Sequence, residues 1–309
     1  MVPCGRLERW GSESITFRLP TCTVGLEGLG AGQRDTIART HPLFVTAEDA
    51  LPAASRIRCE AGRLPRPLSV PAGDLTSAGQ YAPIQVRQDG RVDVTGINFT
   101  ARIPLAGAMA TAGPPVARLC VAREEELAQP MVLENFLRIL LAHRVLAFGG
   151  MLLHSAGVVV DGRAFVFVGR SNAGKTTLSR KADAEGLPVL SDDINLVLPA
   201  GDGFAVHSVP FTGEFRRRVP VEPGAVPLGG VLLLEKGPRL ELCRVGAAAA
   251  VSALFAQSPF VNTSVEEAAG LLESLAGLVA KVPVARLAVT MENGFSGIMN
   301  AVEEHLSDV

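Results

Sequence analysis

Several function classes are excluded by what this 309-residue chain has little of. Its five cysteines, at positions 4, 22, 59, 120 and 243, are odd in number, scattered, and never spaced C-x-x-C. That pattern predicts reduced structural thiols rather than a disulfide framework or a zinc site. Apolar runs such as Val231–Leu234 are far too short to span a bilayer, which takes about 20 residues. The N-terminal stretch lacks the apolar centre of a signal peptide, so a cytoplasmic location without membrane attachment is expected. A net charge of −2 and a pI near 6.2 give no basic patch for nucleic acid. The guanine-specifying Asn-Lys-x-Asp of GTPase switches is missing, and so is the Ser-Gly-Gly signature of transport ATPases.

With 48% hydrophobic and 19% charged residues, the chain reads as globular and long enough for two domains. Short, partly alternating runs fill the first part: 14–19, 43–46, 55–59, 82–87, 98–105 and 116–122. Asp89-Gly90 marks a hairpin turn between two of them. The spacing predicts a β-rich, antiparallel accessory domain over 1–128, with no catalytic constellation. From residue 130 the period changes. Leu133, Phe136, Leu137, Leu140, Leu141 and Val145 recur at helical spacing, with Pro130 at the start and Gly149-Gly150 at the end. This helix is expected to open a second domain, 129–309. A strand over 151–160 and the turn Asp161-Gly162 then lead into the strand 163–168.

The most informative stretch follows. Gly169-Arg-Ser-Asn-Ala-Gly-Lys-Thr176 fits G-x-x-x-x-G-K-[ST], the phosphate-binding loop. Average composition would produce such a match in about one chain of this length in a hundred. The context of strand, loop and helix sharpens it. Glycines let backbone N–H groups converge on phosphate oxygens, and the next helix turns its positive end toward them. The expected nucleotide contacts are Gly169, Arg170, Ser171, Asn172, Ala173, Gly174, Lys175, Thr176 and Thr177. Lys175 reaches the β- and γ-phosphates and the Thr176 hydroxyl ligates Mg²⁺. ATP and Mg²⁺ are therefore the expected cofactors.

Separated from Lys175 by sixteen residues come Asp192 and Asp193, at the end of a short strand. Mg²⁺ favours a carboxylate beside phosphate oxygens, and phosphoryl transfer needs a group to accept the hydroxyl proton. Asp192 and Asp193, with Thr176, are thus the candidate metal ligands. On its own the pair also reads as an Asp-rich turn. One helix and one strand fit between loop and pair, which returns the carboxylates beside the loop.

The order His154-Ser-Ala-Gly, Gly169–Thr177, Ser191-Asp-Asp resembles the catalytic domain of HPr serine kinase/phosphorylase. It is similar to the wider group sharing a core with ATP-type phosphoenolpyruvate carboxykinase. Pro210–Arg216 and 228–237 extend the likeness. The resemblance implies an α/β fold: a P-loop kinase domain of that type, preceded by the β-rich N-terminal domain. It implies an ATP-dependent kinase acting on a hydroxyl, a Ser or Thr of a peptide or small protein by family likeness alone. A small-molecule hydroxyl or a non-catalytic ATP-binding regulatory role are the alternatives, and a homo-oligomer is compatible with the sequence. Catalytic roles fall on Lys175 and on Asp192 or Asp193 as base. Glu214 and Arg216 handle charge near the metal and the transferred phosphate. His154 lies at the phosphates by this likeness, or is a strand histidine satisfied locally. Arg217 and Arg218 read equally as phosphate clamps and as a solvated loop. Asn172 and Ala173 stand where a small Gly is common, Phe211-Thr212 replace Trp-His, and the phosphorylase signature is missing, so HPr itself and the reverse reaction are not implied.

Overall fold

The computed structural model describes residues 7–46, 55–63, 84–88, 90–96, 98–105, 115–211, 213, 224–262 and 265–307. The fold is mixed α/β, and contacts divide it into two compact units, Met1–Arg144 and Val145–Val309. The helix expected to open the second domain therefore falls almost wholly within the first unit. No helix among the described residues is long and apolar enough to cross a membrane.

The first unit holds one eight-stranded sheet. Its strands are β1 (Glu13–Leu19), β2 (Cys22–Leu29), β3 (Val45–Thr46), β4 (Arg56–Arg63), β5 (Ile84–Gln88), β6 (Arg91–Gly96), β7 (Phe99–Pro104) and β8 (Val116–Val121). Their order is β3-β1-β2-β4-β8-β7-β6-β5. The sheet is not purely antiparallel as the sequence suggests, because β2–β4 and β4–β8 pair in parallel. A parallel pairing requires a crossover, and the helix α1 (Ala31–Thr40) lies in the one from β2 to β4. Alternation sorts the faces. Val24, Leu26, Ile57, Cys59, Val92, Val94 and Leu119 are buried, and the intervening charged residues stay half-exposed. Helix α2 (Pro130–Leu146) buries Val132, Leu133, Phe136, Leu137, Leu140 and Leu141, as its period predicts. Cys22, Cys59 and Cys120 are buried and outside any disulfide, and burial pushes the Cys22 thiol up to about 11.

The second unit is built on β9 (Met151–Val160), β10 (Arg163–Val168), β11 (Val189–Ser191), β12 (Ile194–Ala200), β13 (Gly203–His207), β14 (Ala225–Lys236), β15 (Glu241–Arg244) and β16 (Val284–Val289). Asp161 and Gly162 both take positive φ, 47° and 74°, and so turn β9 tightly into β10. The long strands β9 and β14 each change partners midway. Residues 151–154 of β9 pair with β12, and 155–160 with β10. The start of β14 pairs with β13, the rest with β10 and β16. The pairings β10–β9–β12–β13–β14–β10 therefore close on themselves.

Helices α3 (Lys175–Ala184) and α6 (Phe295–Ser307) cover a core of Phe165, Phe167, Leu232, Leu234 and Leu287. Phe167 and Phe295 meet edge to face at 6.0 Å. Burying each such side chain contributes about 1.5–3 kcal/mol, enough to hold α3, and the loop before it, on the end of β10. Helices α4 (Ala247–Ala256) and α5 (Val265–Lys281) pack on each other, and α5 on β9 and β13.

Candidate nucleotide and phosphoryl-transfer site

Register brings the site together. Val168, the last residue of β10, lies opposite Ser155 of β9, and on the other side of β9 Ile194 of β12 lies opposite His154. The loop from 169 and the pair Asp192-Asp193 therefore stand at the same height, one strand apart. Two strand spacings are about 10 Å, a gap that side chains cross. The Thr176 hydroxyl, on the first turn of α3, donates to Asp192 Oδ2 at 3.1 Å. His154 Nε2 lies 3.6 Å from Asp193 Oδ1, both side chains about one-third exposed.

The loop is shaped for an anion. Asn172 (φ 66°) and Gly174 (φ 110°) both take left-handed backbone and alternate with their neighbours, the arrangement that turns successive N–H groups into one concavity. Asn is the non-glycine residue that bears this conformation best. Gly169 cannot carry a side chain, because a Cβ there would lie 2.8 Å from the Leu234 carbonyl oxygen and 2.9 Å from the Ala173 methyl. Gly174 caps α3, whose first turn carries no acidic residue to oppose an incoming anion. Lys175 is buried and folds its ammonium back onto the Gly169 (2.7 Å) and Arg170 (3.1 Å) carbonyls. Burial holds that ammonium below the ordinary lysine value, while Asp193 and Asp192 act in the opposite direction. An anion in the loop would restore what burial takes from the charged form.

The acidic pair occupies a break between strands rather than the end of a single one. β11 stops at Ser191 and β12 starts at Ile194, and both pair with β9. Ser191 Oγ accepts the N–H groups of Asp193 and Ile194, each at 3.2 Å, and Ser155 N–H donates to the Asp193 carbonyl at 2.9 Å. One residue on, buried Asn195 donates to the Ser155 carbonyl (2.8 Å) and hydroxyl (3.0 Å), and its side chain fills the space beside Gly157. The sequence assigns Ser155, Ser191 and Asn195 no supporting role, although Ser155 and Ser191 lie within the motifs. The available signal was three small polar residues inside otherwise apolar strands. Gly213 lies so close to the Asp192 carboxylate that a Cβ there would collide with it. Glu214 and Arg216, together with Arg217 and Arg218, lie outside the described residues.

Of the expected site residues, then, the structure gathers His154, the loop 169–174, Lys175, Thr176, Asp192 and Asp193. Two cavities flank the loop and share Ala173 and Lys236 in their walls. One, of about 310 Å³, includes Thr177. The other, of about 550 Å³, runs along 168–173 to Gln257 and Arg286. No cluster of three or more His, Cys, Asp or Glu side chains able to hold a metal by themselves occurs among the described residues.

No curated protein matches the sequence. Among solved structures, the chain is similar to the Hpr(Ser) kinase/phosphatase from Coxiella burnetii at 14% identity and a TM-score of 0.31, over 51% of this chain and 97% of that one. The stretch from β8 to α6, residues 119–304, matches the family described as SynChlorMet cassette protein ScmC, and the chain belongs to that family.

Proposed function

We propose that the chain transfers the γ-phosphoryl group of ATP to a hydroxyl, most naturally a Ser or Thr of a peptide or small protein. One observation carries this reading: a complete phosphate-loop motif whose Thr176 hydroxyl bonds to one carboxylate of an adjacent pair, while the second carboxylate faces a histidine. Binding alone needs the loop. A second carboxylate at the same height is what transfer to a hydroxyl adds. The motif order His154, loop, Asp192-Asp193 gives the same reading through its likeness to HPr serine kinase.

The contacts divide the roles. The Thr176 hydroxyl and the Asp192 carboxylate are hard oxygen donors suited to Mg²⁺, which would neutralise charge on the β- and γ-phosphates. Loop N–H groups and Lys175 would hold those phosphates, Lys175 exchanging its bonds to the Gly169 and Arg170 carbonyls for phosphate oxygens. Asp193 would accept the proton of the acceptor hydroxyl, whose oxygen bonds to the γ-phosphorus as the bond to the β–γ bridging oxygen breaks and ADP leaves. His154, 3.6 Å away, would orient Asp193. Glu214 and Arg216 belong to this proposal through the family likeness alone.

The test is transfer of γ-labelled phosphate from ATP by the full chain to a Ser/Thr peptide mixture, with and without Mg²⁺. Label on peptide hydroxyls that depends on Mg²⁺ and on Asp193 is the expected result. ATP binding without transfer to any peptide, protein or small hydroxyl compound would leave a regulatory nucleotide-binding role instead.

A further inference from the structure

We infer that the 310 Å³ cavity beside α3 holds the nucleoside half of the nucleotide, and that Lys181 and Glu185 preorganise its far wall. This inference rests on the proposed reading of the loop and extends it to a part of the molecule that the motif does not touch. The argument begins with helix geometry. Thr176 points to Asp192, so the γ-phosphate and metal end lies on that side of α3. Gly174, Thr177, Leu178 and Lys181 share a different stripe of the helix, at i, i+3, i+4 and i+7, and this stripe lines the cavity. A nucleotide with its terminal phosphates at Lys175 and Thr176 would run back past Thr177 into this space.

The cavity suits such a group. Its volume is at the lower end of small-molecule sites, about 300–1,000 Å³, the scale of a nucleoside rather than a peptide. Leu178, Val289, Ile298 and Pro238 offer apolar contact to a flat base, and Lys236 and Glu292 bring charge to the rim. Such a mixture of apolar wall and few polar groups marks binding sites.

The far wall is the turn 290–293, and α3 ties it down. Lys181 Nζ donates to the Met291 carbonyl at 2.7 Å and to the Asn293 carbonyl. One turn later, Glu185 accepts the N–H groups of Phe295 (2.8 Å) and Ser296 (2.9 Å) at the start of α6. Asn293 Oδ1 in turn accepts the Thr290 N–H at 2.8 Å. The helix that begins in the phosphate loop thus also fixes the opposite wall. Lys181 and Glu185 act as positioning residues, since they hold the wall through its backbone.

Two probes separate base from phosphate recognition: Mg²⁺-ATP and Mg²⁺-tripolyphosphate, titrated into the full chain and followed by calorimetry. Met291 is 72% exposed and Pro238 is also exposed, so Trp at either position can fill the cavity without disturbing the core. Met291→Trp and Pro238→Trp should weaken ATP binding roughly tenfold or more, about 1.4 kcal/mol, and leave tripolyphosphate binding within about twofold. Lys181→Met should act in the same direction. Ala256→Trp, which fills the other cavity, should change neither. Melting curves confirm that each variant is folded. Unchanged ATP affinity in both Trp variants, equal losses for both probes, or an ATP-selective loss in Ala256→Trp alone would overturn the inference. A wild-type chain that binds neither probe would instead overturn the nucleotide reading on which it rests.

Discussion

The cross-strand charges of the first eight-stranded sheet and the acidic pair of the second are placed differently. On the first sheet charges meet across neighbouring strands: Glu27 with Arg58 at 2.8 Å, Glu60 with Arg118 at 3.2 Å, and Asp93 with Arg102 at 2.6 Å. They cover the solvent face of a sheet whose other face is core. In the second unit β9 and β10 are largely apolar, and the Asp192-Asp193 pair sits at the break between β11 and β12. Asp192 meets a helix hydroxyl and Asp193 a histidine. The contrast teaches that position separates chemistry from structure where charge alone cannot. A register-matched ion pair completes a surface, whereas, on the proposed reading, a carboxylate at a strand break beside a glycine loop meets the ligand.

The contrast breaks most visibly in turnover. Asp193→Asn should lower ATP-dependent phosphotransfer by about 10²-fold or more, the lower end of general acid–base effects, and leave ATP binding nearly intact. Glu60→Gln and Arg118→Met, which disrupt a pair of similar length on the first sheet, should leave steady-state turnover unchanged. Equal losses from both sets would erase the distinction.

A smaller effect is expected from the support beneath the acidic pair. Asn195→Ala removes two buried hydrogen bonds to Ser155 and should cost about 1–3 kcal/mol in a denaturant titration. Because Ser155 N–H holds the Asp193 carbonyl, turnover should fall as well. A stability loss with full turnover would make Asn195 a packing residue only.

The smallest effect belongs to the first sheet. The bidentate Arg58 contact holds the Glu27 carboxyl below the usual carboxylate value. A depressed folded-state value contributes stability above the unfolded-state value, and that contribution is lost as pH falls through the folded-state value. Glu27→Gln should therefore cost about 0.2–1 kcal/mol near neutrality, as for other exposed pairs, and should flatten the decline in stability on the acid side. A variant as acid-sensitive as the wild type would place that decline elsewhere.

The legible and illegible parts of this chain divide along the same line as local and non-local physics. The loop, the Asp161-Gly162 turn and the period of α2 are local patterns, and each lies where the sequence puts it. The parallel pairings of β2, β4 and β8 join distant segments and leave no mark in the alternation of any strand. Helix α1 escaped because it buries only Gln33 and Ile37, too few for a periodic stripe. Asp192 and Asp193 were readable from their spacing to Lys175. Their support by Ser155, Ser191 and Asn195 was not, since it depends on the register of β9 against two strands. The wall held by Lys181 and Glu185 spans more than a hundred residues of sequence and was invisible for the same reason.

The central claim is that the loop at the end of β10 binds the phosphates of Mg²⁺-ATP through Lys175. Calorimetric titration of ATP into the full chain, with and without Mg²⁺, against the Lys175→Ala variant tests it most directly. Binding should require Mg²⁺ and weaken about 10- to 100-fold in Lys175→Ala, the range for a hydrogen bond to a charged group. Equal affinity for ATP in the two proteins would contradict the account.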